Sequence, residues 1–292
     1  MLMKNMAAAY GESGPVTERL LQHDLAFPPS DINADLVGLL DLDGSEMVVD
    51  GATGYDCFPE LLEAHNHQGD ILAFDLFANI EDRPVVPSPR VTYRKGDLRD
   101  MHFLDDKSVD VFTLRRCLTH LTDKGRQRVY REILRTQKED GKTGVITTGE
   151  GNRAILWEVV EVHAKALEVE PPKKINQDYP PETAMAELRE HFGYVCGFEY
   201  RGFIPISSSF ETDIALGAVR SLMSECTPVP DEAESEAVLQ TKTRERLVEI
   251  ARERGPLERS KLFIVLASNK ELNARKLKRM AAELNLVYQR AS

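Results

Sequence analysis

Glu46–Asp75 reads E-M-V-V-D-G-A-T-G-Y-D-C-F-P-E-L-L-E-A-H-N-H-Q-G-D-I-L-A-F-D. The apolar run Met47–Val49 stops at Asp50, and a turn carrying Gly51 and Gly54 follows. Phe58, Leu61 and Leu62 then recur at helical spacing, Gly69 ends that pattern, and a second apolar run closes on Asp75. The spacing predicts strand, glycine turn, helix, strand, with an acid ending each strand. Such a unit pairs its strands in parallel through a right-handed crossover. Its ligand site lies outside the carboxyl ends of the strands, where small residues let a ligand approach the backbone. Asp75 stands 21 positions after Gly54, about the interval at which a second-strand acid reaches the ribose hydroxyls of a nucleoside.

Further strands are expected at Val91–Lys95, Ser108–Leu114, Thr143–Thr148, Tyr194–Phe203 and Lys261–Ala267, with helices between them. A helix starts at Asp123, with Val129, Ile133 and Leu134 on one face, and Asp140-Gly141 reads as a turn before the fifth strand. Early in the chain, helices are expected over 16–25 and again after a cap at Ser30. These two either fold over the ligand site or cover a sheet edge.

The alternation implies an α/β fold: a Rossmann-like, seven-stranded, mostly parallel sheet with helices on both faces. Four regions follow from the pattern. Residues 1–40 form a helical cap, and 41–206 form the α/β core with a helical insertion at about 151–180. Residues 207–258 are a second helical insertion, and 259–292 hold the last strand and a basic C-terminal helix. Insertions of this length serve as lids, substrate walls or homodimer surfaces.

Bulk composition excludes several classes. The chain has 292 residues and a net charge of −11, which argues against nucleic acid as a partner because phosphate binding needs a basic face. The basic tail after Lys270 reads as a solvated amphipathic helix. Four scattered cysteines form no Cys-x-x-Cys pair, which fits a reducing, cytoplasmic setting and points to no zinc site. No apolar run approaches the length of a membrane span.

In order and spacing these stretches resemble the class I S-adenosylmethionine-dependent methyltransferases, over roughly residues 40–195 and again at the last strand. Val49-Asp50-Gly51-Ala52-Thr53-Gly54 is similar to the family's acid and glycine turn after the first strand. Asp75 matches the acid ending the second strand, and Gly96-Asp97-Leu98 the acid after the third. The run from Ser108 to Asp123 is similar to the fourth strand and its loop, and Glu187–Tyr194 to the helix and turn before the sixth strand. The sequence departs from the family at two glycines, where Ala52 and Asp56 stand instead.

The resemblance implies S-adenosyl-L-methionine as cofactor and methyl transfer to a small-molecule acceptor. It puts Gly51, Ala52 and Gly54 under the methionine part of the cofactor and Asp50 at its amino end. Asp75, followed by Leu76, would hold the ribose, and Asp97, with Leu98 beside the ring, the adenine. His120 lies where a base could take a proton from the acceptor, or else it packs locally. Arg115 and Arg116 at the end of the fourth strand suggest an anionic acceptor. Neighbouring strand residues face opposite ways, so one of the two lines the pocket and the other pairs with a nearby acid. Trp157, His163, Tyr179 and Phe210 are either acceptor-pocket or core residues. Two other classes share parts of the pattern. A non-catalytic nucleoside-binding protein could keep the fold, and Ala52 and Asp56 favour it. An NAD(P)-dependent oxidoreductase also uses strand, glycine turn and acid, but Gly51-x-x-Gly54 does not complete G-x-G-x-x-G.

Overall fold

The computed structural model describes residues 31–54, 58–76, 88–149, 154–172, 179–205, 209–223, 231–255 and 257–290. The helix expected at 16–25, Asp56 and the side chain of Phe210 lie outside the described part. The chain divides into two units. One holds 31–150, 175–200 and 262–292, and the other holds 1–30, 151–174 and 201–261.

The first unit holds all but the end of β6 and the start of β7 in a sheet of eight strands: β1 Val48–Gly51, β2 Ile71–Asp75, β3 Val91–Lys95, β4 Val109–Arg115, β5 Gln137–Thr148, β6 Tyr194–Pro205, β7 Leu257–Ser268 and β8 Val287–Arg290. Their order is β3-β2-β1-β4-β5-β7-β6-β8. β3, β2, β1, β4 and β5 pair in parallel. β7 runs antiparallel to β5, and β8 antiparallel to β6. The sheet is therefore mixed and has eight strands, which corrects the expected seven-stranded, mostly parallel one. β1 is buried along its whole length and β2 along all but its last residue, as strands covered on both faces must be.

Two local features explain where sequence patterning slips. Asp140-Gly141 does not turn the chain but sits in an irregularity inside β5, between the pairs Val109↔Gln137 and Val111↔Lys142. A Cβ on Gly141 would lie 2.4 Å from the Gln137 Cγ and 2.8 Å from the Asp110 carbonyl oxygen, so this bulge admits only glycine. At the other end, the expected basic helix stops early, and Val287–Arg290 forms an edge strand whose Tyr288 ring packs on Phe198, 5.6 Å between centroids.

Helices of this unit are α1 Ile32–Leu40, α2 Phe58–Ala64, α3 Asp123–Thr136, α5 Pro181–Arg189 and α9 Ala274–Glu283. Asp31, one residue after the expected cap, caps α1 by accepting from the Asn33 and Ala34 N–H groups. Thr122 caps α3 through the Gly125 N–H, and of the expected face Val129 and Ile133 are buried while Leu134 is only partly so, with Tyr130 buried in its place.

The second unit is helical: α4 Ala154–Ala166, α6 Ser209–Met223, α7 Glu232–Val238, a π-helical turn Leu239–Thr243, and α8 Arg244–Arg254. Its core joins Leu156, Val160, Leu216, Val219, Leu239 and Ile250, with Trp157 half-buried against it. His163 is fully buried here, 2.6 Å from the Thr243 Oγ1 and 3.0 Å from the Ser235 Oγ. Glu158 holds Arg246 and Arg254, both at 2.7 Å.

Candidate active site

The carboxyl ends of β2, β1 and β4 lie side by side, with Gly51 level with Phe74 on one flank and Leu114 on the other. The turn Asp50–Gly54 leaves β1 between them. Gly51 is there for packing, since a Cβ would come 2.5 Å from Leu98 Cδ2. Gly54, at φ +58°, has open space where a Cβ would project. Ala52 takes φ 53° and Arg116, just past β4, takes φ 55°. Two L-residues in the left-handed region at adjacent strand ends mark local strain of a kind that gathers at functional sites.

The turn is bound on both flanks. Towards β2, the Thr53 N–H donates to the Phe74 carbonyl at 3.1 Å and the Gly54 N–H donates to Asp75 Oδ2 at 3.0 Å. Towards β4, Asp50 is fully buried and accepts from three donors. Thr113 Oγ1 and Arg115 Nε reach Oδ1 at 2.7 and 3.2 Å, and Arg115 Nη2 reaches Oδ2 at 2.8 Å. Arg115 Nη2 also donates to the Thr53 carbonyl at 3.4 Å, and the guanidinium carbon lies 4.5 Å from the Phe58 ring centroid. Asp50 and Arg115 thus come together, and the Arg115 guanidinium is committed to the turn.

Asp75 is half-buried at the end of β2, with Leu76 after it, also half-buried. Its carbonyl accepts from the Gly96 N–H at 2.9 Å, which brings the segment Gly96-Asp97-Leu98 alongside. Both oxygens of Asp97 are taken by Arg99. Oδ1 accepts from the Arg99 N–H and Nε at 2.9 Å each, and Oδ2 accepts from Nε at 3.1 Å and Nη2 at 2.6 Å. The hydrogen bond to Arg99 holds the Asp97 carboxyl below the usual range, and Asp97 in return raises Arg99. Arg99 therefore competes with any ligand donor for the Asp97 oxygens. Leu98 turns into the core and is 7% exposed.

After β4, the Arg116 N–H donates to the Ile146 carbonyl at 2.8 Å, and its side chain is half-buried. Burial first, then the charges of Asp50 and Asp75, push the Cys117 thiol up to about 12, so it is no nucleophile at neutral pH. His120 ends a 3₁₀ turn, Leu118–His120, and is half-buried.

Behind that turn lies a polar network without a role in the sequence reading. Arg126 on α3 is 3% exposed and makes a fork to Glu187 on α5, with Nε–Oε2 at 2.9 Å and Nη2–Oε1 at 2.8 Å. Tyr130 OH lies 2.6 Å from Tyr179 OH and 3.0 Å from Glu187 Oε2. Thr147 Oγ1 donates to the Tyr179 carbonyl at 2.8 Å, and the Arg126 guanidinium lies 4.7 Å from the Tyr179 ring. Tyr179 is 1% exposed, so it is a core clamp rather than a pocket wall. The same holds for His163 in the helical unit. Arg99, Thr113 and this network were missed because each acts through a partner distant in sequence or hidden in an apolar run. A faint signal for Arg99 was its place two residues after an acid, where a side chain can fold back.

The residues fit a nucleoside-bearing cofactor in two respects. The half-buried Asp75 carboxylate stands over an open glycine turn. In addition, Thr53 Oγ1, on that turn, is buried without a hydrogen-bond partner, a polar atom that a ligand or a water would satisfy. Among the described residues no group of three or more His, Cys, Asp or Glu could hold a metal ion, and no helix is long and apolar enough to cross a membrane.

Comparison with known proteins gives the same domain. Residues 49–145 match the family described as methyltransferase domain. A putative methyltransferase of Bacillus halodurans is 16% identical, with a TM-score of 0.52 over 82% of this chain and 99% of its own. A putative methyltransferase from an antibiotic biosynthesis pathway of Anabaena variabilis is 17% identical, with a TM-score of 0.55 over 80% of this chain and 95% of its own. Among curated proteins no sequence matches. The β1-to-β5 segment thus carries a methyltransferase domain, and the two putative methyltransferases share its fold.

Proposed function

We propose that the protein transfers a methyl group directly, in line, to a small anionic acceptor, and that the turn Asp50–Gly54 with Asp75 seats the cofactor. The observation that carries this reading is the Gly54 N–H to Asp75 bond, which fixes an acid of two acceptor oxygens at the rim of an open glycine turn. S-adenosyl-L-methionine supplies an already activated sulfonium methyl. The protein's part is therefore to hold, orient and keep water out. Asp75 accepts from the ribose hydroxyls, with Leu76 beside it. Gly51, Ala52 and Gly54 give the backbone floor, and buried Asp50 fixes that floor from below rather than by touching the ligand. Asp97 and Leu98 bound the adenine end, with Arg99 as a competitor for the Asp97 carboxylate. At the other side of the site, Arg116 offers a cation to an acidic acceptor and His120 offers a ring nitrogen to its proton.

Two titrations test this. S-adenosylhomocysteine is added to the purified protein by calorimetry, with NAD in parallel. Binding of the first alone, lost by at least about tenfold in Asp75→Ala, is the expected result. Equal affinity in Asp75→Ala removes Asp75 from the site, and binding of NAD alone overturns the reading. Acceptor screens should yield a carboxylate or phosphate compound, and a neutral acceptor would refute the role of Arg116.

A further inference from the structure

We infer that Arg115 is a positioning residue, whose guanidinium sets the shape of the cofactor turn and does not meet the acceptor. The inference rests on the reading of Asp50–Gly54 as the cofactor's seat. It starts from how little the turn's own sequence does to hold it. Ala52 sits at φ 53°, where an L-residue is disfavoured, and Gly54 at φ +58° has no side chain to anchor it. Contacts from outside must therefore select the conformation. On the β2 side they are two backbone N–H groups, those of Thr53 and Gly54. On the β4 side nearly everything comes from one side chain. Arg115 forks onto both oxygens of Asp50 at the start of the turn and donates to the Thr53 carbonyl near its end. Its guanidinium also lies over Phe58, the first residue of α2. One planar cation thus ties together the strand end, the turn and the helix that follows.

The same geometry excludes the acceptor role. The Arg115 side chain is 3% exposed and its partner Asp50 is 0% exposed, so the pair is closed to solvent and its charge is spent within the fold. Released from Arg115, Asp50 would keep Thr113 as its one remaining side-chain donor among those described. Lysine cannot replace the arrangement, because a single ammonium lacks the planar fork that spans two oxygens and still reaches a carbonyl. An anionic acceptor is then left to Arg116 one residue further on.

Arg115→Lys separates the possibilities, with two readouts beside the wild type. The first is amide hydrogen exchange at Thr53 and Gly54 by NMR, which reports how firmly the turn is held whether or not a ligand binds. The second is S-adenosylhomocysteine affinity by calorimetry. Both amides should exchange about tenfold faster and the affinity should fall about tenfold. Unchanged exchange, or loosened amides with affinity within about twofold of wild type, overturns the proposal. If the wild type itself binds no S-adenosylhomocysteine, the functional reading fails, and the exchange rates alone decide whether Arg115 holds the turn. Should Arg115→Lys not fold, Phe58→Leu frees the guanidinium from its ring and carries the same two readouts. About threefold changes are expected there, and none would overturn the proposal.

Discussion

Glu187→Ala should destabilise the sheet unit by about 3 kcal/mol, because it strands a buried cation. Arg126 loses three contacts, with Nε at 3.1 and 2.9 Å and Nη2 at 2.8 Å from the Glu187 oxygens, and Tyr130 loses one at 3.0 Å. Charge-assisted hydrogen bonds contribute about 1.5–3 kcal/mol each, but those sharing one guanidinium do not add. Breaking a buried pair costs about 3–5 kcal/mol. Two facts pull the figure to the low end. The Glu187 side chain is 15% exposed, and Arg126 keeps the Leu121 carbonyl at 2.8 Å and Asp123 at 2.6 Å, though Asp123 is 90% exposed and screened. Urea unfolding followed by far-ultraviolet circular dichroism measures the loss at constant m-value. Glu187→Gln should cost about half as much, since an amide still accepts one bond from the fork. An Arg126→Met, Glu187→Ala cycle should show coupling of at least about 2 kcal/mol. A loss under about 1 kcal/mol for Glu187→Ala would refute the idea that this network clamps α5 and Tyr179 to α3.

Other outcomes follow from single residues. Ala52→Gly relieves a left-handed alanine and should raise stability by up to about 1 kcal/mol, seen as a Tm increase of about 2 °C. Burial lowers the His163 imidazole to about 4, so the folded state binds its proton later than the unfolded one. Stability should then fall as pH drops from about 6.5 to 4, by up to about 3 kcal/mol, and His163→Gln should flatten that slope by about one proton. Arg99→Ala should free Asp97 and raise S-adenosylhomocysteine affinity about threefold, and an unchanged titration would take Asp97 out of the site.

Sequence patterning carried β1 to β5 and the turn between β1 and β2, because both rest on local signals. At β1 and β2 the apolar runs end at Asp50-Gly51 and Asp75, and those positions are where the strands end. It failed where a residue's state depends on a distant partner. Val287–Arg290 is short, and Val287 is 41% exposed, so nothing local marks it as a strand until β6 offers an edge. Asp140-Gly141 has turn chemistry, yet the close approach of Gln137 and Asp110 turns it into a bulge. At the site, strand alternation required one of Arg115 and Arg116 to pair with an acid, but the sequence could not say which arginine or which acid. The answer lay on β1, 65 residues away. Arg99 likewise looked like an ordinary loop cation, while its side chain folds back onto Asp97, one of the two acids that would face the cofactor.

The order in which β5 and β7 leave the ribosome has a consequence for synthesis in the cell. β5 ends at Thr148, and its antiparallel partner pairs with it through residues from Leu262 onwards. On the order of a hundred residues, including the whole of the helical insertions, are made in between. At ~5–20 residues per second the nascent chain carries β5 as an uncovered edge for roughly 5–20 s. An apolar edge, Val145 and Ile146 among it, is a template for pairing with a neighbouring chain during that interval. Slowed translation of 151–261 should therefore lower soluble yield more than slowing elsewhere, with chaperone demand concentrated in that window.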